Sequence, residues 1–341
     1  MSGARRNKGG CFARLIGFGL LLTVVVIAAG TWVLLQPYRG FEHDVFIDFQ
    51  KGTGSSEMAN ELAKTGVIRN HWLFMAVRAL RPNARLQAGE YRFSVPASVW
   101  TVFDRIVRGD VFYYEITTKE GANIFEIAKT VDQLGFIQGG DFLAIAKDPT
   151  PIHDLAPEAP TLEGFLFPST YRLTRHTTAA QLCHMMTNLF RKRWAELEAG
   201  QRSLKVNRVV TLASLIEKET GLAGDRATVA SVYVNRLEKG MRLECDPTTI
   251  YAAELDGRYR GVIHRSDLDN PNPYNTYQHA GLPPGPIANP GLASLQAAIK
   301  PAKTDYLFFV VRPGGLGASN FSKTLAEHNR HVQEYRQEQG R

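Results

Sequence analysis

The chain has 341 residues, 44% of them hydrophobic, enough for more than one core, so two domains are expected. Its formal charge of +7 is concentrated at one end: Arg5, Arg6, Lys8 and Arg14 supply four of those charges, and the +3 that remains comes without a Lys/Arg stripe or an RNP-like aromatic run, which argues against nucleic-acid binding. Three cysteines, Cys11, Cys183 and Cys245, show no CxxC or Cys/His ligand spacing, so neither a disulfide framework nor a zinc site is indicated. Buried free thiols are the plainer reading of Cys183 and Cys245, and a single bridge between them is the alternative.

From Leu15 to Leu35 the chain runs "LIGFGLLLTVVVIAAGTWVLL" without a charge, long enough for a helix to cross a hydrocarbon layer of about 30 Å. A cleaved signal peptide is the rival, but the stretch exceeds a usual h-region and no small-x-small site ends it before Gln36 and Pro37. The basic residues precede the span, which predicts that residues 1–14 stay cytoplasmic and everything after Pro37 is exported. Cys11 precedes the apolar run, so it does not serve as a lipoprotein anchor.

Beyond the span, "HDVFIDFQKGTGSSEMANELAKTGVI" alternates as a strand, breaks at Gly52 and Gly54, and continues with helical spacing through Met58, Leu62 and Val67. Sixty-nine residues later "VFYYEITTKEGANIFEIAKTVDQLGFI" repeats it, with Ile47, Gly52, Glu57, Ala59, Gly66 and Ile68 matched by Ile116, Gly121, Glu126, Ala128, Gly135 and Ile137. Each copy reads as one βα unit, and "LQAGEYRF" between them as a short strand. The pattern resembles LysM modules, which bind N-acetylglucosamine-containing glycans; small βα units are also common packing pieces.

The stretch from about Asp141 to Thr161 is rich in Pro and Asp and reads as a connecting loop. After "LEGFLFPSTYRL", helical periodicity dominates: Ala179–Leu197, Val206–Thr220, Asp225–Lys239 with Gly240 as a stop, and Thr248–Glu254. Near the end, "DYLFFVVRP" suits a buried strand and "NFSKTLAEHNRHVQEYRQ" a terminal helix with a solvated face.

In the helix that carries "ASLIEKETG", Val206, Val210 and Ala213 fall within about 40° of Glu217 at 100° per residue, so its carboxyl is expected to face inward. One reading is an acid poised by burial to donate a proton; the other is a Glu paired with an arginine inside the fold. Glu219 falls on the opposite edge of the wheel, and Lys218 in solvent. Two more segments look like binding walls: "LEGFLFPSTYRL", with Glu163 among aromatic residues, and the Pro-rich "NPYNTYQHAGLPPGPIANPG", which offers Tyr274, Asn275, Thr276 and Tyr277. A structural Pro-rich cover over the core is the plainer alternative for the latter.

Together, "LEGFLFPSTY", "ASLIEKETG", "VASVYVNRLEKGMRLECDPTTIYA" and "NPYNTYQHAGLPPGPIANPGLASLQAAIKPA", behind one apolar span, make the chain resemble the membrane-anchored endolytic murein transglycosylases (MltG, YceG-like) from about residue 40 onward. The resemblance implies an exported enzyme that cuts the MurNAc-β-1,4-GlcNAc bond inside glycan strands and leaves 1,6-anhydro-MurNAc ends. It implies Glu217 as the catalytic residue, Glu163, Tyr274, Asn275, Thr276 and Tyr277 on the substrate side, and membrane peptidoglycan synthases as neighbours. Cys245, where the family usually has Thr before the Asp-Pro pair, is a departure. One carboxylate can suffice, because the muramyl 6-hydroxyl replaces water as the nucleophile. A non-catalytic peptidoglycan-binding scaffold is the alternative from a different class, and an ordinary muramidase the third.

Neither a cofactor nor a metal is implied: His328 and His331 lack a third ligand, and no G-x-S-x-G or HExxH occurs. The expected fold class is α+β: a tail at 1–14, a transmembrane helix at 15–35, a LysM-like glycan-binding domain at 40–112, and a mainly helical catalytic domain with a few strands at 113–341, the second βα unit being 113–140. The expected location is the bacterial inner membrane, single-pass, with the catalytic part periplasmic.

Overall fold

The computed structural model describes residues 9–197, 205–314 and 317–339; Arg5, Arg6 and Lys8 lie outside them, and of Cys11 and Arg14 only the backbone is described. The fold is mixed α and β, with thirteen helices and three two-stranded sheets among the described residues. Compactness divides the chain between Tyr113 and Tyr114 into two units.

The first unit begins with α1 (Gly9–Leu35). Its stretch Ile16–Leu35, mean hydropathy 2.4 and wholly unburied, is long and apolar enough to cross a membrane, consistent with a single-pass anchor. There follow β1 (Val45–Phe49), α2 (Ser55–Lys64), α3 (His71–Leu80), β2 (Gly89–Phe93) and α4 (Val99–Arg108). The strands pair antiparallel from Val45↔Phe93 to Phe49↔Gly89, so "LQAGEYRF" closes a ribbon on the first βα unit. Asn70 and Ser98 cap α3 and α4 with their side chains, satisfying backbone N–H groups that the first turn leaves unpaired. The apolar faces of the helices then bury Leu62, Phe74, Phe103 and Ile106 together with Tyr91, and each such side chain contributes about 2 kcal/mol.

The second unit runs β3 (Tyr114–Thr117), α5 (Ile124–Asp132), α6 (Gly139–Ala146), β4 (Thr170–Leu173), α7 (Ala179–Leu197), α8 (Val206–Glu219), α9 (Arg226–Glu238), α10 (Asp246–Leu255), α11 (Arg265–Leu268), α12 (Leu292–Ile299), β5 (Phe308–Val311), β6 (Ser319–Ser322) and α13 (Leu325–Gln339). The second βα unit is β3 with α5, opened by a capping box between Asn123 and Glu126. Its strand pairs with β4, from the aromatic stretch, as Tyr114↔Leu173 to Thr117↔Thr170. The sequence repeat recurs in the backbone: Gly52 and Gly121, and Gly66 and Gly135, all lie at positive φ, a region only glycine enters freely.

Two expectations change, and the preferred reading of the cysteines holds. The loop expected from Asp141 starts instead inside α6, because Phe142 and Ala146 bury against the core. The run "DYLFFVVRP" is not a buried strand: β5 has one partner, β6, and its residues are half-buried or exposed. Cys183 and Cys245 are both free and both buried.

Candidate active site

Helix α8 is apolar nearly all round its last turns, with Leu212, Ala213, Ser214, Leu215 and Ile216 consecutively buried. Two acids end it, and the packing separates them. Glu217 faces inward as the wheel predicts, its side chain 6% exposed. Its Oε2 accepts the backbone N–H of Gly291 at 2.9 Å, and its Oε1 lies 3.4 Å from the Arg226 guanidinium, itself 11% exposed. Gly121 closes the nook, since a Cβ there would sit 3.4 Å from Cγ of Glu217. Glu217 is therefore the arginine-paired acid of the two alternatives, not an isolated acid in an apolar pocket. A cleft of about 590 Å³ adjoins Arg226, lined by alanines, Leu197 and Ile299 together with Glu196, Gln296 and Lys300; Glu217 is not among its lining residues.

Glu219 lies on the other side of α8. Its carboxyl forms part of the wall of a cleft of about 260 Å³ whose lining is mostly polar: Tyr233 and Arg236 from α9, Glu244 and Asp246 before and at the start of α10, and Tyr277 from the Pro-rich loop. The Tyr233 hydroxyl donates to Glu219 Oε1 at 2.9 Å. Burial is the main cause that pushes the Glu219 carboxyl above the usual carboxylate range; hydrogen bonds from the Cys245 thiol and Tyr233 pull the other way, and the charge of Asp246 adds to the rise. This is the environment that holds a proton on a carboxylic acid, and it belongs to Glu219 where the sequence predicted it for Glu217.

The surrounding groups are fixed. Arg236 donates through Nε to the Leu307 carbonyl at 2.7 Å and through its terminal nitrogen to the carbonyls of Arg242 and Leu243, so it pins the loop that carries Glu244. Glu244 has φ 51°, the one non-glycine at positive φ among the described residues, a conformation that costs about 1 kcal/mol or more. The Tyr277 hydroxyl donates to Asp246 Oδ1 at 2.6 Å.

Of the remaining expected binding residues, Asn275, Thr276 and Glu163 are internal and Tyr274 is half-buried. Asn275, fully buried, donates to the carbonyls of Asp267, Leu268 and Asn270, and Thr276 bonds the Cys245 N–H and the Thr248 hydroxyl. Both brace the Pro-rich loop against α10 and so present Tyr277 to the cleft; no side-chain surface is left to hold a ligand. Tyr274 packs on Tyr251 at 5.1 Å between ring centroids and does not line the Glu219 cleft. Glu163 is wholly buried, accepting from the Ile124 N–H at the start of α5 and from Asn289 at 2.8 Å. Burial raises its carboxyl to about 8. It is an internal brace, and the aromatic side chains beside it, Phe165 and Phe167, are core.

Sequence reasoning passed over Tyr233, Arg236, Glu244 and Asp246. The signal was there: Tyr233 and Arg236 stand at i and i+3, one helix face, and Asp246 begins a helix that Pro247 starts. Among the described residues no group of three His, Cys, Asp or Glu could hold a metal ion.

Comparison with known proteins bears on this geometry. The YceG-like family matches residues 47–334. A Bacillus subtilis protein named endolytic murein transglycosylase is 33% identical over 322 residues, covering 89% of this chain and 88% of that one. A Streptococcus pneumoniae protein of the same name is 28% identical, with 85% of this chain matched to 58% of a longer one. A crystal structure of a YceG-like protein from Listeria monocytogenes superposes with a TM-score of 0.56 at 31% identity, covering 85% of this chain and 99% of that one.

Proposed function

The chain belongs to the YceG-like family, and on that premise we propose that it is an endolytic lytic transglycosylase that cuts the MurNAc-β-1,4-GlcNAc bond within peptidoglycan strands, with Glu219 as its acid and then its base. The observation that carries this reading is the desolvated Glu219 carboxyl at a polar cleft built from Tyr233, Arg236, Asp246 and Tyr277. Glu219 gives its proton to the glycosidic oxygen as the bond to C1 breaks. The resulting carboxylate takes the proton of the muramyl 6-hydroxyl as that oxygen bonds C1, closing the 1,6-anhydro ring and restoring the acid. No water is consumed. Attack from within the same sugar avoids recruiting a second reactant, and Asp246 and Glu244, which line the same cleft, supply negative charge that favours the positive charge developing on the ring.

Residues 15–35 are proposed to span the bacterial inner membrane, with 1–14 cytoplasmic and the rest periplasmic, which places the cleft within reach of strands leaving membrane synthases. Residues 40–112 are proposed as a LysM-like glycan holder and 113–341 as the catalytic domain. Trp72, 70% exposed at the start of α3, offers a ring face for a sugar.

Digestion of purified glycan strands with mass analysis of the products tests the assignment. Anhydro ends from the wild type and from Glu217→Gln, with none from Glu219→Gln, uphold it. Loss with Glu217→Gln alone would return the acid to Glu217. Reducing ends, heavier by one water, would mark a muramidase, and strand binding without cutting would mark a scaffold.

A further inference from the structure

Helix α1 does not lead into a free linker. Only Gln36 and Pro37 separate Leu35 from Tyr38, whose backbone exchanges hydrogen bonds with Ala97 at 3.0 and 3.1 Å. Gly40 then donates to the Gly66 carbonyl at 2.9 Å, and Leu34 packs against the core of the first unit while α1 contacts α4. The approach at Gly66 is so close that a Cβ there would lie 2.5 Å from the Gly40 carbonyl oxygen. The unit is thus docked at the very end of the apolar helix.

That docking fixes a depth. The stretch Ile16–Leu35 is 20 residues long, and at about 1.5 Å per residue it fills a hydrocarbon layer of about 30 Å. Three further residues reach at most about 10 Å, and the headgroup layer on each face is about 5–8 Å deep. The Tyr38–Ala97 bridge therefore sits in or at the edge of the headgroups, together with whatever flanks it. Val95, two residues from Ala97, is 66% exposed, and Pro96 is exposed as well. Trp100, half-buried at the start of α4, lies under the Arg81 guanidinium, next to Leu80, which is 64% exposed. Arg69, exposed, lies 5.2 Å from the centroid of the Tyr38 ring.

We propose that this face, Leu80, Val95, Pro96 and Trp100 with Arg69, rests in the headgroup layer of a phospholipid bilayer as a second membrane contact of the first unit. Apolar side chains and an amphipathic ring at the rim, with the exposed Arg69 guanidinium beside them to meet a phosphate, fit the chemistry of that layer, while Arg81 is held by Asp104 at 3.0 Å and steadies Trp100. The inference rests on the proposed anchor and goes beyond it: a helix alone would leave the unit free to tilt, whereas a helix with a foot sets its orientation.

The test uses the full chain in phosphatidylcholine–phosphatidylglycerol nanodiscs, with and without acyl-brominated lipid, comparing parent, Val95→Trp and Lys51→Trp. Lys51 is exposed just past Phe49, the end of the β1–β2 ribbon opposite Val95. Added fluorescence in Val95→Trp that is blue-shifted and lost to bromolipid, with neither change in Lys51→Trp, is the expected result. Equal, unquenched signals from both variants overturn the proposal, and a Val95→Trp signal that responds only to added glycan strands overturns it in favour of a glycan face. The part of the parent's bromolipid quenching that disappears in Trp32→Phe belongs to α1 and reports the anchor separately from Trp100; its absence would remove the anchor and the foot together.

Discussion

Glu217 and Glu219 are two residues apart on one helix, yet they occupy opposite kinds of site. The Glu217 nook is tight: the Gly291 N–H and the Arg226 guanidinium satisfy the carboxylate, and Gly121 packs against its stem. The Glu219 cleft is open on one side and lined by groups that brace one another and not the acid alone. The contrast teaches that burial alone does not make a catalytic acid; what matters is burial at the wall of a space a substrate can enter, with a field that favours the proton.

The comparison breaks most directly on activity. Glu219→Gln should lose at least about a hundredfold in the rate of anhydro-end formation, the scale of a removed general acid, while Glu217→Gln stays within about tenfold of wild type. Stability should show the reverse. Glu217→Gln leaves the Arg226 guanidinium nearly buried without its counter-charge, so thermal or urea unfolding should report a loss of about 3 kcal/mol, against little change for Glu219→Gln.

Smaller effects sharpen the picture. Tyr277→Phe deletes the hydroxyl that Asp246 accepts at 2.6 Å and should lower kcat by about tenfold, about 1.4 kcal/mol in the barrier, with an unchanged far-UV spectrum. The pH profile gives the finest test. Because the Glu219 carboxyl sits above its ordinary range, kcat/KM should hold on the acid side and fall as pH rises through that raised value. Asp246 contributes to the rise, so in Asp246→Asn the fall should move to lower pH, whatever the absolute rate. A fall that stays in place would remove Asp246 from the electrostatics of the cleft.

Much of the second unit could be read from its sequence, because its helices carry local signals: Ala179–Leu197 was predicted with the boundaries observed, and α8 and α9 within a residue of theirs. The strand at Phe308–Val311 was legible as a strand but not as a half-covered one, since an apolar run does not say how many partners it will find. The wheel favoured Glu217 over Glu219 for a related reason. A helical wheel separates inside from outside only when one face is wet, and α8 is packed on several sides: Leu215 is as buried as Val210, and Leu212 is buried too. The face the wheel assigned to the rim meets α9 and the loop before α10, contacts of long sequence separation that no local period encodes. Asn275 and Thr276 were found as a motif yet misread, because a loop that braces itself needs the same polar residues as a loop that binds sugar.

The free thiols of Cys183 and Cys245 have a consequence for biogenesis. Each lies 1% exposed in the second unit, and burial raises both well above an ordinary thiol, which leaves almost no thiolate to react. On the proposed periplasmic placement the chain meets oxidants while it is still folding, and packing is what shields these sulfurs from them. That placement requires the second unit to close around them faster than the compartment can couple them, so that the speed of collapse, and not a crosslink, keeps the two thiols apart.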